Sequence, residues 1–352
     1  MKSRLEALED SFKNFKNSGF SVIKKEVNKD DRIYALLTSI DEEFCKIEKN
    51  FEVFSLPEAY HKIAALIHFL ICGILLAERN GWSKKGIRSV LQNAWRIHGY
   101  SSFIKYIQTW PRGFVGDFRA VDMIIDRKEK TSPSSLGGMI GKFALNTLMA
   151  QQHREKVRIQ AEMIKEICKK TLTPKIMSLG CGSSRDLEQA RYEIKESRAR
   201  VLLVDFDPEA LKESKQRLSE IIGQIDTILV DIRRLKSFFK KISEEGWKFH
   251  LIYAVGLFDY LPDIIIRKML SNLFESFLFS GGVLMFTNIV QGNPYRAWME
   301  TMANWTLIER SKEDIERLLF CIDSPKYRLK KDPTDLTWIV YLTKKKLFEK
   351  PL

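Results

Sequence analysis

Five short apolar runs sit in the second half of the chain: KIMSLG (175–180), RVLLVDF (200–206), DTILVD (226–231), HLIYAVG (250–256) and GVLMFTNI (282–289). Stretches with helical spacing separate them at 185–197, 208–222, 233–245 and 263–279. Strands that are apolar nearly end to end are buried on both faces, and the intervening helices supply the covering layers. The pattern predicts an α/β fold built on a doubly wound, mostly parallel sheet. The tail differs, because 327–332 and 336–343 read as a terminal antiparallel hairpin.

The first half reads as helix almost throughout, at 3–16, 30–50, 57–78, 83–95 and 100–109, with Asn80-Gly81 as punctuation. PRGFVGD and TSPSSLGG make 111–140 a loop region, and a long helix that is basic on its outer face follows at 142–170. The expected division is a helical domain over 1–140, ending in the PRGFVGD loop, and a cofactor-binding domain over 141–352. The run IAALIHFLICGILLA (63–77) has 15 residues with His68 inside, short of the ~20 that span a bilayer. It reads as a buried core helix, and no transmembrane segment is expected. MKSRLEALEDSFKNF at the start is too charged for a signal peptide.

A chain of 352 residues, 45% hydrophobic and 29% charged, matches a soluble globular protein with a sizeable core. The net charge of +13 favours anionic partners, although its lysines and arginines are spread along the sequence. Lys344-Lys345-Lys346 reads as a solvated tail. Cys45, Cys72, Cys168, Cys181 and Cys321 form no CxxC pair, which argues against a zinc site and a disulfide framework. A reducing cytoplasm fits, and no metal is expected.

The chemistry centres on KIMSLGCGSSRD (175–186). A dinucleotide fingerprint would be G-x-G-x-x-G, but after Gly180 and Gly182 the third position is Arg185. Two glycines around Cys181, without the third, suit a cofactor lacking a pyrophosphate. That cofactor is S-adenosyl-L-methionine (SAM), leaving as S-adenosyl-L-homocysteine (SAH). Asp205 ends the second strand and is placed to accept hydrogen bonds from both ribose hydroxyls, with Asp207 as the alternate. Asp231 ends the third strand and is placed for the adenine amino group. Phe206, Ile232 and Gly256 complete the cofactor set along this edge. The fourth strand runs into GLFDYLP (256–262), where Asp259 and Tyr260 are the candidate catalytic residues that orient the acceptor. The alternative is a helix start with Asp263 in its first turn and Tyr260 packed in the core. His250 sits at the opposite end of this strand and reads as structural.

TWPRGFVGDFRAVDMI (109–124) and GKFALNTLMAQQHREKVR, together with LGCG, GLFDYL and MANWTLIERSKEDI (302–315), resemble a bacterial family of class I SAM-dependent methyltransferases. The resemblance runs from about Thr109 to Thr343. Members carry a Pro-Arg-Gly-Tyr-Ala-Gly-Asp loop ahead of the catalytic domain. Many are labelled as biosynthesis proteins for the methyl ester of 3-hydroxypalmitic acid, an extracellular factor. Here Phe114 and Val115 replace the loop's tyrosine and alanine, Asp186 replaces a glutamate, and His250 an aspartate. The resemblance implies a class I Rossmann-like methyltransferase sheet with an N-terminal all-helical domain. Within the loop, Phe114 joins the cofactor set, Arg112 is available to pair with a carboxylate of methionine or substrate, and Asp117 with the cofactor's ammonium group.

These features point to methyl transfer onto an oxygen, carboxylate or hydroxyl, of a small amphipathic acceptor. In-line displacement on a carbon activated by positive sulfur rests mostly on proximity and alignment. A carboxylate is ionised at pH 7 and needs no base, whereas a hydroxyl needs one; with no histidine evidently placed, the balance favours an acid. The helical region is expected to line the acceptor pocket, with Arg112 or Arg185 as cationic anchor and Tyr295, Trp298 and Met299 of 289–306 closing it. The competing view is that Tyr295 and Trp298 only pack a lid helix. A tRNA or rRNA methyltransferase is the alternative that the charge suggests. No Asn/Asp-Pro-Pro-aromatic segment follows the fourth strand and no RNA-binding module is visible, so nucleic acid is not the expected partner. A non-catalytic SAM-binding module is a third reading. The acceptor's identity and the oligomeric state stay open.

Overall fold

The computed structural model describes residues 29–323 and 326–345. The helix expected at 3–16, the leading segment around it and Lys346 of the basic tail lie outside the described residues. By packing, the chain forms two compact units, each assembled from three segments. Of the described residues, the first comprises those up to Gln108, Lys130–Phe143 and Ala297–Asn304; the second comprises Thr109–Glu129, Ala144–Arg296 and those from Trp305 onward. The PRGFVGD loop, read from sequence as the end of the helical region, packs with the sheet unit. The 297–304 segment, read as part of the sheet half, packs with the helices.

The first unit is all helix: α1 (Lys29–Lys49), α2 (Leu56–Arg79), α3 (Lys84–Val90), α4 (Gln92–His98) and α5 (Ser102–Thr109), joined by parts of α7 (Leu136–Asn146) and α14 (Arg296–Met302). The apolar run expands into a 24-residue helix with mean hydropathy 1.8 over its most apolar window. Length alone therefore does not exclude a membrane span, contrary to the sequence argument. Its placement rests on burial: Ile63, Ile67, Leu70, Ile71 and Ile74 are each at most 4% exposed. The helix expected at 83–95 breaks at Leu91. The cause is the buried Asp41 of α1, which accepts hydrogen bonds from the Ala94 N–H (2.7 Å) and the Asn93 side chain (2.9 Å), capping a new helix there. TSPSSLGG ends in helix and not in loop. A Cβ on Gly137 would stand 2.3 Å from the Tyr100 carbonyl oxygen, and one on Gly138 1.9 Å from that of Ser132. These glycines mark close packing at a helix start.

The second unit holds a seven-stranded sheet in the order β3-β2-β1-β4-β5-β7-β6. Its strands are β1 (Lys175–Leu179), β2 (Arg200–Asp205), β3 (Ile225–Leu229), β4 (Phe249–Ala254), β5 (Leu278–Ile289), β6 (Lys326–Lys331) and β7 (Thr337–Thr343). β1 to β5 pair in parallel, and β7 runs antiparallel to both β5 and β6. The terminal hairpin is as the sequence predicts, and the order with its reversed β7 is that of a class I methyltransferase sheet. Alternate residues fill two cores. Met177, Leu179, Leu202, Val204 and Ile252 face α12 (Leu235–Glu244), α13 (Asp263–Asn272) and α15 (Lys312–Leu319). Ile176, Val201, Leu203 and Leu251 face α8 (Leu148–Lys170), α9 (Arg185–Gln189), α10 (Arg191–Ser197) and α11 (Pro208–Arg217). The helix expected at 142–170 is interrupted at Thr147, whose Oγ1 accepts the Ala150 N–H (3.2 Å) and restarts it as α8. One further helix, α6 (Phe118–Ile125), lies within the region read as loop.

Candidate functional site

Strand order reverses between β1, which is followed on one side by β2, and β4 on the other. Ligands of open α/β sheets bind outside the carboxyl ends of strands at such a switch point. A cavity of about 610 Å³ lies there, lined wholly by the sheet unit. Its walls are the 178–186 turn, the ends of β2, β3 and β4, the 113–118 loop and the inner face of α8.

The turn is held by the backbone. Gly180 and Cys181 donate N–H groups to the Val204 carbonyl (2.8 and 3.2 Å), which ties β1's end to β2. Gly180 and Gly182 adopt φ of +64° and +54°, a conformation that side chains disfavour. Asp205 joins two turns: its Oδ2 accepts the Gly182 N–H (2.9 Å) and its Oδ1 the Asp207 N–H (3.0 Å). Burial pushes its carboxyl above the ordinary value, against those hydrogen bonds. Each oxygen retains a lone pair for a further donor. Burial, with the nearby Asp205 carboxylate, pushes the Cys181 thiol well up, which disfavours the thiolate.

Farther along the edge, the Arg233 guanidinium grips Asp231 through three contacts of 2.8–3.1 Å and holds its carboxyl below the usual value. Phe206 is 47% exposed within the cavity wall and meets the Phe114 ring at 4.8 Å between centroids. Ile232 and Gly256 line the same wall.

Arg112 takes a different part from the one expected of it. Its guanidinium forks onto Asp207 (2.6 and 2.7 Å), reaches Glu209 and lies over the Phe118 ring, and it does not line the cavity. It clamps the loop to the start of α11. Asp117 lines the cavity but caps α6, accepting the Arg119 and Ala120 N–H groups (2.9 and 3.3 Å). Gly116 has φ of +71°, and a Cβ there would fall 2.0 Å from the Tyr260 hydroxyl oxygen. The loop and Tyr260 approach that closely only because the residue is glycine.

Asp259 and Tyr260 occupy a short 3₁₀ turn and line the cavity. Asp259 is 3% exposed; its Oδ1 accepts the Ile289 N–H (2.7 Å) and its Oδ2 pairs with Lys156 Nζ of α8 at 3.3 Å. Burial raises the Tyr260 phenol, and its oxygen accepts the Trp305 indole N–H (2.9 Å). Beneath them Arg310, 2% exposed, donates to the carbonyls of Phe258 (2.9 Å) and Leu261 (2.7 Å) and pairs with Asp263. The stretch 302–315 thus supplies both grips on this segment.

Arg185 lines the cavity but is paired with Asp122, Asp126 and Glu188. Trp298 lies in the helical unit, 3% exposed, and donates its indole N–H to Nε2 of the buried His98 (3.0 Å). It packs a core, the view weighed against its pocket role. Tyr295 does not line the cavity; its N–H bonds Asn293 Oδ1 at 3.0 Å. His250 accepts the Lys175 N–H (3.0 Å) at the strands' amino ends, a structural role.

Sequence reasoning missed several lining residues, four of which bear on the chemistry. His153 and Lys156 project from α8, three residues apart, and Asp186 and Tyr253 sit beneath the glycine turn. Polar side chains on the buried face of an amphipathic helix were the available signal for the first pair. Asp186 Oδ2 and Tyr253 Oη are buried without a hydrogen-bond partner of good geometry, and burial raises the Asp186 carboxyl. Among the described residues, no cluster of three or more His, Cys, Asp or Glu side chains could hold a metal ion.

The sequence matches no protein-family model and no curated protein. Among solved structures it is similar to a possible exported protein from Bordetella parapertussis, with 14% identity, TM-score 0.52, and 92% of this chain and 100% of that one covered. An O-methyltransferase family protein from Burkholderia thailandensis overlaps more loosely (11%, TM-score 0.43, 82% and 96%). So does magnesium protoporphyrin IX methyltransferase from Synechocystis with bound SAH (13%, TM-score 0.42, 56% and 88%). The likeness to the Bordetella protein is one of fold.

Proposed function

We propose that this chain is a SAM-dependent methyltransferase acting on an oxygen of a small, amphipathic metabolite. The observation that carries the reading is the cavity itself: a two-glycine turn tied to Asp205, with the buried Asp186 and Tyr253 oxygens, which make no hydrogen bond of good geometry, beside it. A buried polar atom without a partner calls for a ligand that completes it. The Asp186 carboxyl and the Tyr253 phenol suit the ammonium end of an amino-acid moiety. Asp205 has a lone pair on each oxygen for the ribose hydroxyls. Phe206, Phe114 and Ile232 offer an apolar slot for adenine, and Asp231 a carboxylate at its rim.

Bound there, the cofactor supplies a methyl group on a positively charged sulfur, transferable in a single in-line displacement. The protein's part is to align and to exclude water. Arg112 fixes the loop over the site, Asp259 and Arg310 fix the turn carrying Tyr260, and Tyr260 presents a neutral hydroxyl beside Trp305. The five free cysteines are compatible with work in a reducing cytoplasm. The test is incubation with methyl-labelled SAM and a small-molecule extract, followed by mass identification of the product. Labelled small molecules bearing O-methyl groups support the reading; label confined to RNA, or no transfer, contradicts it.

A further inference from the structure

His153 projects from the first turns of α8 into the cavity, with its ring 5.9 Å from that of Trp305, whose indole holds the Tyr260 hydroxyl. One turn further along α8, Lys156 is bonded to Asp259, next to Tyr260 in the chain. Because α8 ends just before β1 begins, its first turns lie over the carboxyl edge of the sheet, where the site is. Neither ring nitrogen of His153 has a hydrogen-bond partner among the described residues. A half-buried imidazole that lines a cavity and has an unused nitrogen is equipped to accept a proton.

The charges around the cavity bear on what the acceptor is. Its lining cations are Lys156, Arg185 and Arg233. Each is already paired with protein carboxylates: Asp259 for Lys156, Asp122, Asp126 and Glu188 for Arg185, and Asp231 for Arg233. An acceptor carboxylate would meet no unpaired cation among the described lining residues.

We infer that His153 is the general base of the reaction and that the acceptor is an alcohol or phenol, not a carboxylic acid. This rests on the proposed methyl transfer. His153 takes the hydroxyl proton while the acceptor oxygen's electron pair forms the new bond to the methyl carbon; the carbon–sulfur pair stays on sulfur, and the imidazolium returns its proton to water. Burial, with the positive charges of Lys156 and Arg154, pushes the His153 pKa well below 6.5 and keeps the ring neutral at pH 7. The groups facing it from other elements are the Trp305 ring and, beyond it, the Tyr260 phenol and the Asp259 carboxylate paired with Lys156.

The test uses the full chain labelled with ¹³C at histidine Cε1 and loaded with SAH, with the His153 signal assigned by its loss in His153→Gln. The expected result is a His153 titration below 6.5, SAH affinity in the variant within about twofold of native, and O-methyl ethers as products. Ether formation should fall about 10²–10⁴-fold in His153→Gln, and added imidazole should restore part of the rate of His153→Ala. Ether formation by His153→Gln at the native rate overturns the inference. So do methyl esters formed equally by native and variant. Failure of SAH to bind the native chain counts instead against the proposed function, and the titration still decides the state of His153.

Discussion

Two histidines, each beside a tryptophan, show how differently the two units use the same pair. In the helical unit, His98 donates from Nδ1 to the Ala94 carbonyl (2.7 Å) and accepts the Trp298 indole N–H at Nε2 (3.0 Å). Both nitrogens are spent, and the ring is fully buried against Phe44. In the sheet unit, His153 rests on Trp305 and lines the cavity, but that indole N–H goes to Tyr260 and leaves the imidazole without a hydrogen-bond partner among the described residues. A satisfied histidine builds a core; an unsatisfied one beside a cavity is available for chemistry. Residue type alone does not separate the two cases, and hydrogen-bond accounting does.

Replacing Asp205 sharpens the comparison most. Asp205→Ala leaves the N–H groups of Gly182 and Asp207 without their acceptor, at about 1–3 kcal/mol for each orphaned donor. From sequence, this change should cost cofactor affinity and spare the fold. The structure adds a stability cost, because the carboxylate is also the pin of the turn. We expect SAH affinity to fall at least a hundredfold in calorimetry, together with a lower melting temperature. A variant that melts and binds like the native chain breaks the account of the turn.

Acid probes the other histidine. Burial depresses the His98 pKa from 6.5 to about 4. The unfolded chain therefore binds a proton more readily than the folded one between these values. The stabilising contribution is fully present above pH 6.5 and is lost as pH falls toward 4, by roughly 3 kcal/mol at 1.36 kcal/mol per unit. Denaturant melts from pH 7 to pH 4 should show that slope, and His98→Gln should flatten it. An unchanged slope in the variant assigns the acid sensitivity elsewhere.

Smaller effects are expected at two packing points. Gly116→Ala forces a methyl group against the Tyr260 hydroxyl at a residue with positive φ, costing about 1–3 kcal/mol. The loss should appear as weaker SAH binding, since the loop carries Phe114 and Asp117. Trp298→Phe removes the N–H that His98 accepts, for about 1–2 kcal/mol of stability, with SAH affinity unchanged. If Trp298→Phe lowers SAH affinity and Gly116→Ala does not, the assignment of the two tryptophan neighbourhoods is reversed.

The sheet was legible because its information is local. Apolar runs, glycine punctuation and acids at strand ends lie within a few residues of one another, and Gly180, Gly182, Asp205 and Asp231 all reach one edge. The remainder depends on partners distant in sequence. Lys156 is explained by Asp259, 103 residues away, and the buried Arg310 by carbonyls about fifty residues earlier. Neither leaves a local pattern. Arg112 was read as a ligand anchor because its partners, Asp207 and Glu209, stand 95 and 97 positions on. Helix α6 was missed although Asp117, its cap, stands directly before it; the glycines of PRGFVGD masked the start.

The most direct test of the central claim is calorimetric titration of the native chain with SAH and, separately, with NAD⁺. The two-glycine turn, the Asp205 pin and the buried, poorly satisfied Asp186 and Tyr253 oxygens predict one SAH site per chain and no comparable heat from NAD⁺. Preferential binding of NAD⁺, or no SAH binding by the folded protein, would contradict the account.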